Sequence, residues 1–207
     1  MSTSDPQRSW EIESANSRLV LASASPRRLE LLNQVRIACR VEPASCELAP
    51  SNAPPEENAE SIAVAKAQDV AGRYEGSDIV VLAADTLVHL NGEIIGKPRD
   101  RVDSARILAL LRGRCHDVVT GYAIICTASG ETVSGHSSAR VRVRDLSDQE
   151  IDRYVATGEG DDKAGAYAIQ GRGALLVESI NGDYYAVVGL PLGQVVGDLR
   201  RLGIDSL

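Results

Sequence analysis

The stretch Ser23-Ala-Ser25-Pro-Arg27-Arg28 sets two serines and two adjacent arginines at the start of a helical-looking segment. Ser25 suits an N-cap and Pro26 a first helical position. The arginines are out of place there, because a helix N-terminus carries roughly half a positive charge and free N–H groups. Two cations at that point are unfavourable unless an anion sits between them. Free amides, serine hydroxyls such as that of Ser23, and guanidinium forks together make a phosphate site. The alternative is a helix start with two solvated arginines, and the pattern alone leaves both open.

Asp85 interrupts an apolar run from Ile79 to Leu90. A carboxylate in a buried strand is costly unless it is paired or binds metal, which makes Asp85 a candidate site residue; a cap at a strand end is the plainer reading. Thr86 beside it could hydrogen-bond a substrate or be an ordinary β-branched strand residue. Lys66, in SIAVAKAQDV, falls at the edge of an apolar helix face, where it either snorkels or aims its ammonium into a cleft. Lys97, in IIGKPRD, sits in a failed phosphate-loop motif. Pro98 follows it where a hydroxyl residue belongs, so Lys97 is at most an isolated cation. In DDKAGAYAIQG, glycines 165 and 171 bracket a loop with Lys163, Tyr167 and Gln170. An amide such as Gln170 offers one donor and one acceptor to a base edge, or is simply solvated. His89, His116 and His136 stand in no metal array, and no G-x-S-x-G is present. Scattered cations with one or two acids suit phosphoanhydride hydrolysis, where cations stabilise charge and a carboxylate positions water.

These side chains need elements to hold them. Strands are expected near 18–22, 37–42 and 79–90, the last followed by the hairpin signal Asn91-Gly92 and a returning EII. Two long β runs, 116–127 and 131–144, flank Ala128-Ser129-Gly130. Helices are expected at 26–35, 57–73 and 101–112, the last with Val102, Ala105, Leu108 and Leu111 on its apolar face. Ser147-Asp-Gln-Glu150 is a capping box, residues 157–173 a Gly-rich loop, ALLVESI and YYAVV strands, and PLGQVVGDLRRL a terminal helix. Interleaved strands and helices with added hairpins define an α/β fold around a mixed sheet. Residues 1–17 read as a disordered leader before a single domain over 18–207.

Composition narrows the partners. A 43% apolar and 25% charged chain of 207 residues is that of a soluble globular domain. The net charge of −7 argues against a nucleic-acid or anionic-membrane surface, yet permits a small anion in a locally basic cleft. Aromatics at 3%, with no Phe, leave little to stack single-stranded bases upon. No apolar stretch approaches the ~20 residues of a membrane span. The N-terminal residues carry neither a basic nor an apolar targeting region, so a cytoplasmic protein is expected. Cys39, Cys46, Cys115 and Cys126 form no C-x-x-C pair and are expected to be reduced and mostly buried.

Together, LASASPRR, AADT, GKPRD, DKAGAYAIQG and VVGLPL resemble the motifs of the Maf-like nucleoside triphosphate pyrophosphatases, from about Leu19 to Leu202. The resemblance implies a twisted mixed sheet with flanking helices, in two lobes around a cleft, as in inosine-triphosphatase-like folds. It implies hydrolysis of nucleoside triphosphates to monophosphate and pyrophosphate with Mg²⁺ or Mn²⁺. It makes Asp85 the catalytic base or metal ligand, and places Ser23, Arg28, Glu47, Lys66 and Lys97 among the phosphate- and metal-handling groups. One branch of the family favours dTTP and UTP with Arg, Thr and Gln at three selecting positions; another favours 7-methyl-GTP. Arg27, Thr86 and Gln170 resemble the first branch. Family members are often dimers, so a homodimer is expected. The family's link to septum formation supplies a rival reading, a nucleotide-binding regulator without catalysis.

Overall fold

The computed structural model describes residues 17–46 and 48–205. The leader expected over 1–17 falls, apart from Ser17, outside them. Seven strands form one sheet: β1 (Leu19–Leu21), β2 (Arg40–Val41), β3 (Val80–Leu90), β4 (Glu93–Ile95), β5 (Cys115–Cys126), β6 (Thr132–Val143) and β7 (Val177–Gly182). Their order is β2-β1-β3-β5-β6-β7, with β4 also on β3. Strand β1 runs parallel to β2 and β3, and the remaining pairs are antiparallel. The sheet is mixed, as the interleaved pattern predicts.

The helices are α1 (Pro26–Gln34), α2 (Pro55–Ala71), α3 (Arg101–Leu111), α4 (Asp148–Val155), α5 (Tyr184–Val188) and α6 (Leu192–Arg201). Two cores flank the first half of the sheet. Leu19, Leu21, Leu82 and Ile124 on one face pack under α1 and α6. Val20, Val81, Ala83 and Ala123 on the other pack against Ala63, Ala67 and Val70 of α2. A third core lies farther along β3, β5 and β6, where Val88, Val118 and Val141 meet α3 and α4. The sheet thus runs through two lobes, and residues 85–87 of β3 lie where they join. Gly121 sets how closely α2 approaches, since a Cβ there would overlap the backbone of Ala59 and Glu60.

Four expectations need correction. YYAVV is helix α5, not a strand: Asp183 accepts the Tyr185 N–H as an N-cap, and Gly189 at φ +127° ends it. The local cap and the burial of Ala186 and Val188 outweigh the β-propensity of Tyr and Val. The run ALLVESI begins as a 3₁₀ turn through Leu175, and β7 starts only at Val177. Val102 is 80% exposed, because α3 rolls so that Asp103 and Ser104, with Ile107, Leu108 and Leu111, face inward. All four cysteines are free thiols, but only Cys39 and Cys126 are buried; Cys46 is half-buried and Cys115 exposed.

Candidate active site

A gap in the sheet makes the site. Strand β1 covers β3 at 80–82 and β4 covers it at 88–90, while β5 occupies the opposite edge from 80 to 89. Residues 83–87 are therefore open along one edge. The alternation that sends the Val80 N–H to Arg18 O and the Leu82 carbonyl to Ala22 N sends the backbone groups of Ala84 and Thr86 into that gap. Asp85 and Thr86 lie at its middle and, as strand neighbours, point to opposite faces.

On one face Lys66 of α2 pairs with Asp85, their side chains 23% and 18% exposed. Asp85 thus has the partner that a carboxylate in an apolar strand needs, and Lys66 reaches into the cleft rather than snorkelling. On the other face stands Arg28. Its Nε donates to Gly189 O at 2.8 Å, Nη1 to Ser23 Oγ at 3.0 Å and Nη2 to Thr86 Oγ1 at 3.2 Å. Burial pulls its pKa down, Asp85 opposes that, and neighbouring Arg27 adds to it. Arg28 remains charged throughout the accessible range.

Helix α1 begins at Pro26 as expected, and Ser25 occupies the N-cap position. Ser25 makes no side-chain cap bond, however, and no acidic residue enters the first turn. The positive end of the helix therefore stays uncompensated beside Arg27 and Arg28, which favours a bound anion. Lys97 lies in the loop between β4 and α3. Asp100 caps α3 by accepting the Asp103 N–H at 2.8 Å, and buried Asp103 accepts the Arg99 N–H at 3.1 Å, so the loop is tied at its base. Gly165 N donates to Gly96 O at 3.2 Å and joins this loop to the one bearing Lys163 and Gln170. Lys163 pairs with Asp162. Glu159 accepts the N–H groups of Arg172 at 3.0 Å and Gly173 at 2.8 Å, fixing the turn that follows Gln170.

One cleft of about 350 Å³ gathers these groups. Ser23 enters from the β1–α1 turn, Arg27 and Arg28 from the first turn of α1, Lys66 from α2, and Asp85 and Thr86 from β3. Lys97, Lys163 and Gln170 enter from the two loops. An adjoining recess of about 730 Å³ shares Lys66, Asp85, Thr86 and Lys97, and runs beneath residues 48–53. Asn58 holds that rim: its side chain accepts the Ser51 N–H at 2.7 Å and donates to Ala53 O at 2.7 Å. Glu47, expected beside the metal, lies outside the described residues. Among the described residues lining the cleft, five cationic side chains face two carboxylates, Asp85 and Asp162. The protein as a whole carries −7, so the cations are concentrated here.

Sequence reasoning missed Asp162, Thr120 and the Gly189 carbonyl. Asp162 is written plainly in DDK but reads as a solvated loop acid. Gly189 offers its carbonyl to Arg28 from the end of α5, and Thr120 meets Thr86 only through the β3–β5 register, so neither stands out in the sequence.

A cleft of this size and charge, set in an open gap of a mixed sheet, defines a receptor for small polyanions. The chain belongs to the Maf-like family, whose model, "Maf-like protein", matches residues 18–202. It is 47% identical over 191 residues to the dTTP/UTP pyrophosphatase of Dictyoglomus turgidum, covering 91% of this chain and 98% of that one. It is 49% identical over 189 residues to the dTTP/UTP pyrophosphatase of Thermococcus onnurineus, covering 91% of this chain and all (100%) of that one. Among solved structures, the Staphylococcus aureus Ham1 protein gives a TM-score of 0.43 at 16% identity, over 61% of this chain and 72% of that one.

Proposed function

We propose that the protein hydrolyses dTTP and UTP to the monophosphate and pyrophosphate. The observation that carries this is Asp85, held by Lys66 at the centre of a cleft otherwise rich in cations. The relatives named dTTP/UTP pyrophosphatase support the substrate class. Arg28, Lys66 and Lys97 grip the triphosphate and offset the charge that builds as the α–β phosphoanhydride bond breaks. Asp85 orients a water and takes its proton, the water oxygen bonds to phosphorus, and pyrophosphate leaves. Ser23 and the open N-terminus of α1 add neutral donors. Arg27 and Gln170 face the nucleoside, with the Gln170 amide matching the N3–H and O4 edge of uracil or thymine, while Thr86 accepts a hydrogen bond from Arg28.

No group of three or more His, Cys, Asp or Glu among the described residues could hold a metal by itself. A cation arriving with triphosphate needs only one or two protein carboxylates, since phosphates and water fill the rest of its shell. Asp85 is a hard oxygen donor at the right place, and Glu47 is the second ligand that the family resemblance implies. Mg²⁺ or Mn²⁺ bound there would offset phosphate charge and acidify water. A nucleotide-binding regulator of septum formation needs the cations but not a carboxylate at their centre, so the geometry favours the enzyme. No helix among the described residues is long and apolar enough to cross a membrane. A nucleotide-pool enzyme of the cytoplasm is consistent with that.

Pyrophosphate release from a panel of nucleoside triphosphates, with Mg²⁺ or Mn²⁺, tests the assignment. Turnover strongest on dTTP and UTP is expected. Tight nucleotide binding without pyrophosphate release would establish the regulator instead.

A further inference from the structure

Thr120 lies opposite Thr86 in the β3–β5 pair and is wholly buried. Its Oγ1 donates to Ala186 O, within α5, at 2.7 Å. A threonine hydroxyl has one proton. With that proton spent on Ala186, Thr120 can only accept in its 2.8 Å contact with Thr86, and Thr86 must donate. Thr86 Oγ1 then has only lone pairs left, and one takes the Arg28 Nη2–H. The proton order runs one way, from Arg28 through Thr86 and Thr120 to Ala186 O. Three of the five guanidinium N–H groups are tied, to Gly189 O, Ser23 Oγ and Thr86 Oγ1. Two remain for an anion in the cleft.

We infer that Thr120 is a positioning residue for Arg28. By taking the Thr86 proton it keeps a lone pair turned toward the guanidinium, and so sets the angle at which Arg28 offers its two remaining N–H groups to phosphate. Without that acceptor the Thr86 hydroxyl is free to turn its proton toward a cation, which weakens the whole chain of bonds. Arg28 meets the phosphates that all nucleotides share, so the effect is independent of the base. The inference rests on the pyrophosphatase reading for its ligand and on the hydrogen-bond order for the role of Thr120.

The test compares Thr120→Val, Thr120→Ser, Thr86→Val and the Thr86→Val/Thr120→Val double variant. Two assays are run in Mg²⁺: kcat and KM for UTP, dTTP and CTP, and calorimetric binding of inorganic tripolyphosphate. Thr120→Val should lower kcat/KM about tenfold on all three nucleotides and weaken tripolyphosphate by a similar factor, the scale of one hydrogen bond to a charged group. Thr120→Ser, which keeps the hydroxyl, should restore both to within about twofold. The double variant should be no worse than Thr86→Val alone, since Thr120 acts through Thr86. Equal losses in the Ser and Val variants, full additivity in the double variant, or a changed ratio between nucleotides would each overturn the inference. If the wild type releases no pyrophosphate but binds tripolyphosphate with this pattern, the enzymatic reading fails and the positioning role stands. If turnover is normal and Thr120→Val keeps both activity and binding, the positioning role alone fails. Should Thr120→Val not fold, Thr120→Cys keeps the volume with a weak donor. Its loss must vanish in the Thr86→Val background, and a loss that adds there counts against the inference.

Discussion

Asp85 is the residue on which hydrolysis turns. Asp85→Asn keeps the shape and a hydrogen-bond acceptor for Lys66 but can neither take a proton nor bind a cation strongly. Turnover should fall on the order of a hundredfold or more, with melting little changed. Near-normal turnover in the folded variant would remove Asp85 from the chemistry. Selectivity is a separate matter, carried by Gln170 on the turn that Glu159 fixes. Gln170→Glu keeps the size, removes the donor and adds a negative charge. A site built to pair with a base edge discriminates sharply when one partner cannot pair. The ratio of kcat/KM for UTP to that for 7-methyl-GTP, whose base is cationic, should therefore fall; an unchanged ratio would mean that Gln170 does not meet the base. At this scale the sequence was informative wherever a residue contradicts its surroundings. Asp85 in an apolar run and two arginines at a helix start both announce themselves. Thr120 does not, because a threonine in a strand is ordinary until its register partner is known.

Elements place these residues through two adjacent pairings. Thr120 lies opposite Thr86, and Gly121 opposite Asp85. On the Gly121 face the missing side chain lets α2 rest on the sheet, which sets the helix that carries Lys66 toward Asp85. Gly121→Ala should push α2 outward, an overpacking worth about 1–3 kcal/mol, or roughly 3–10 °C in Tm for a chain of this size. Activity measured below the melting range should fall as well, because Lys66 moves with its helix. A variant with unchanged melting and full activity would show that the close approach is dispensable. The sequence located β3, β4, β5 and β6 to within a residue or two, because alternation and the Asn91-Gly92 turn are local signals. It misread α5, whose five residues are strand-like in type and helical only because Asp183 caps them and β5 receives their apolar side. The gap between β1 and β4 was not legible at all: it depends on where a three-residue strand stops relative to a partner about sixty positions away.

The whole molecule separates its charges, with cations gathered in the cleft on a chain of net −7, so that an anion is drawn to one place. It also ties the Gln170-bearing loop that lines this cleft to a buried imidazole. His116 on β5 is 1% exposed; its Nε2 lies 2.8 Å from the Tyr167 hydroxyl, and Tyr167 lines the cleft on the loop that bears Gln170. Burial pushes the His116 pKa down to about 4, Asp117 opposes the shift and His89 adds to it. The unfolded chain takes up this proton near pH 6.5 and the folded protein only near 4. Between those values the unfolded state holds more protons, so stability is full above about pH 6.5 and declines as the pH falls toward 4. The whole shift corresponds to about 3 kcal/mol. Carboxylates such as Glu60 and Asp117, whose folded pKa values are lowered, contribute their own acid losses, beginning nearer the ordinary carboxylate range. His116→Gln keeps a polar side chain for Tyr167 but cannot titrate, so it isolates the histidine from the carboxylates. Melting followed from pH 7 to 4.5 should fall more steeply for the wild type than for His116→Gln, with the curves diverging below about pH 6.5. Parallel curves would mean that His116 protonates as readily in the folded protein as in the unfolded one.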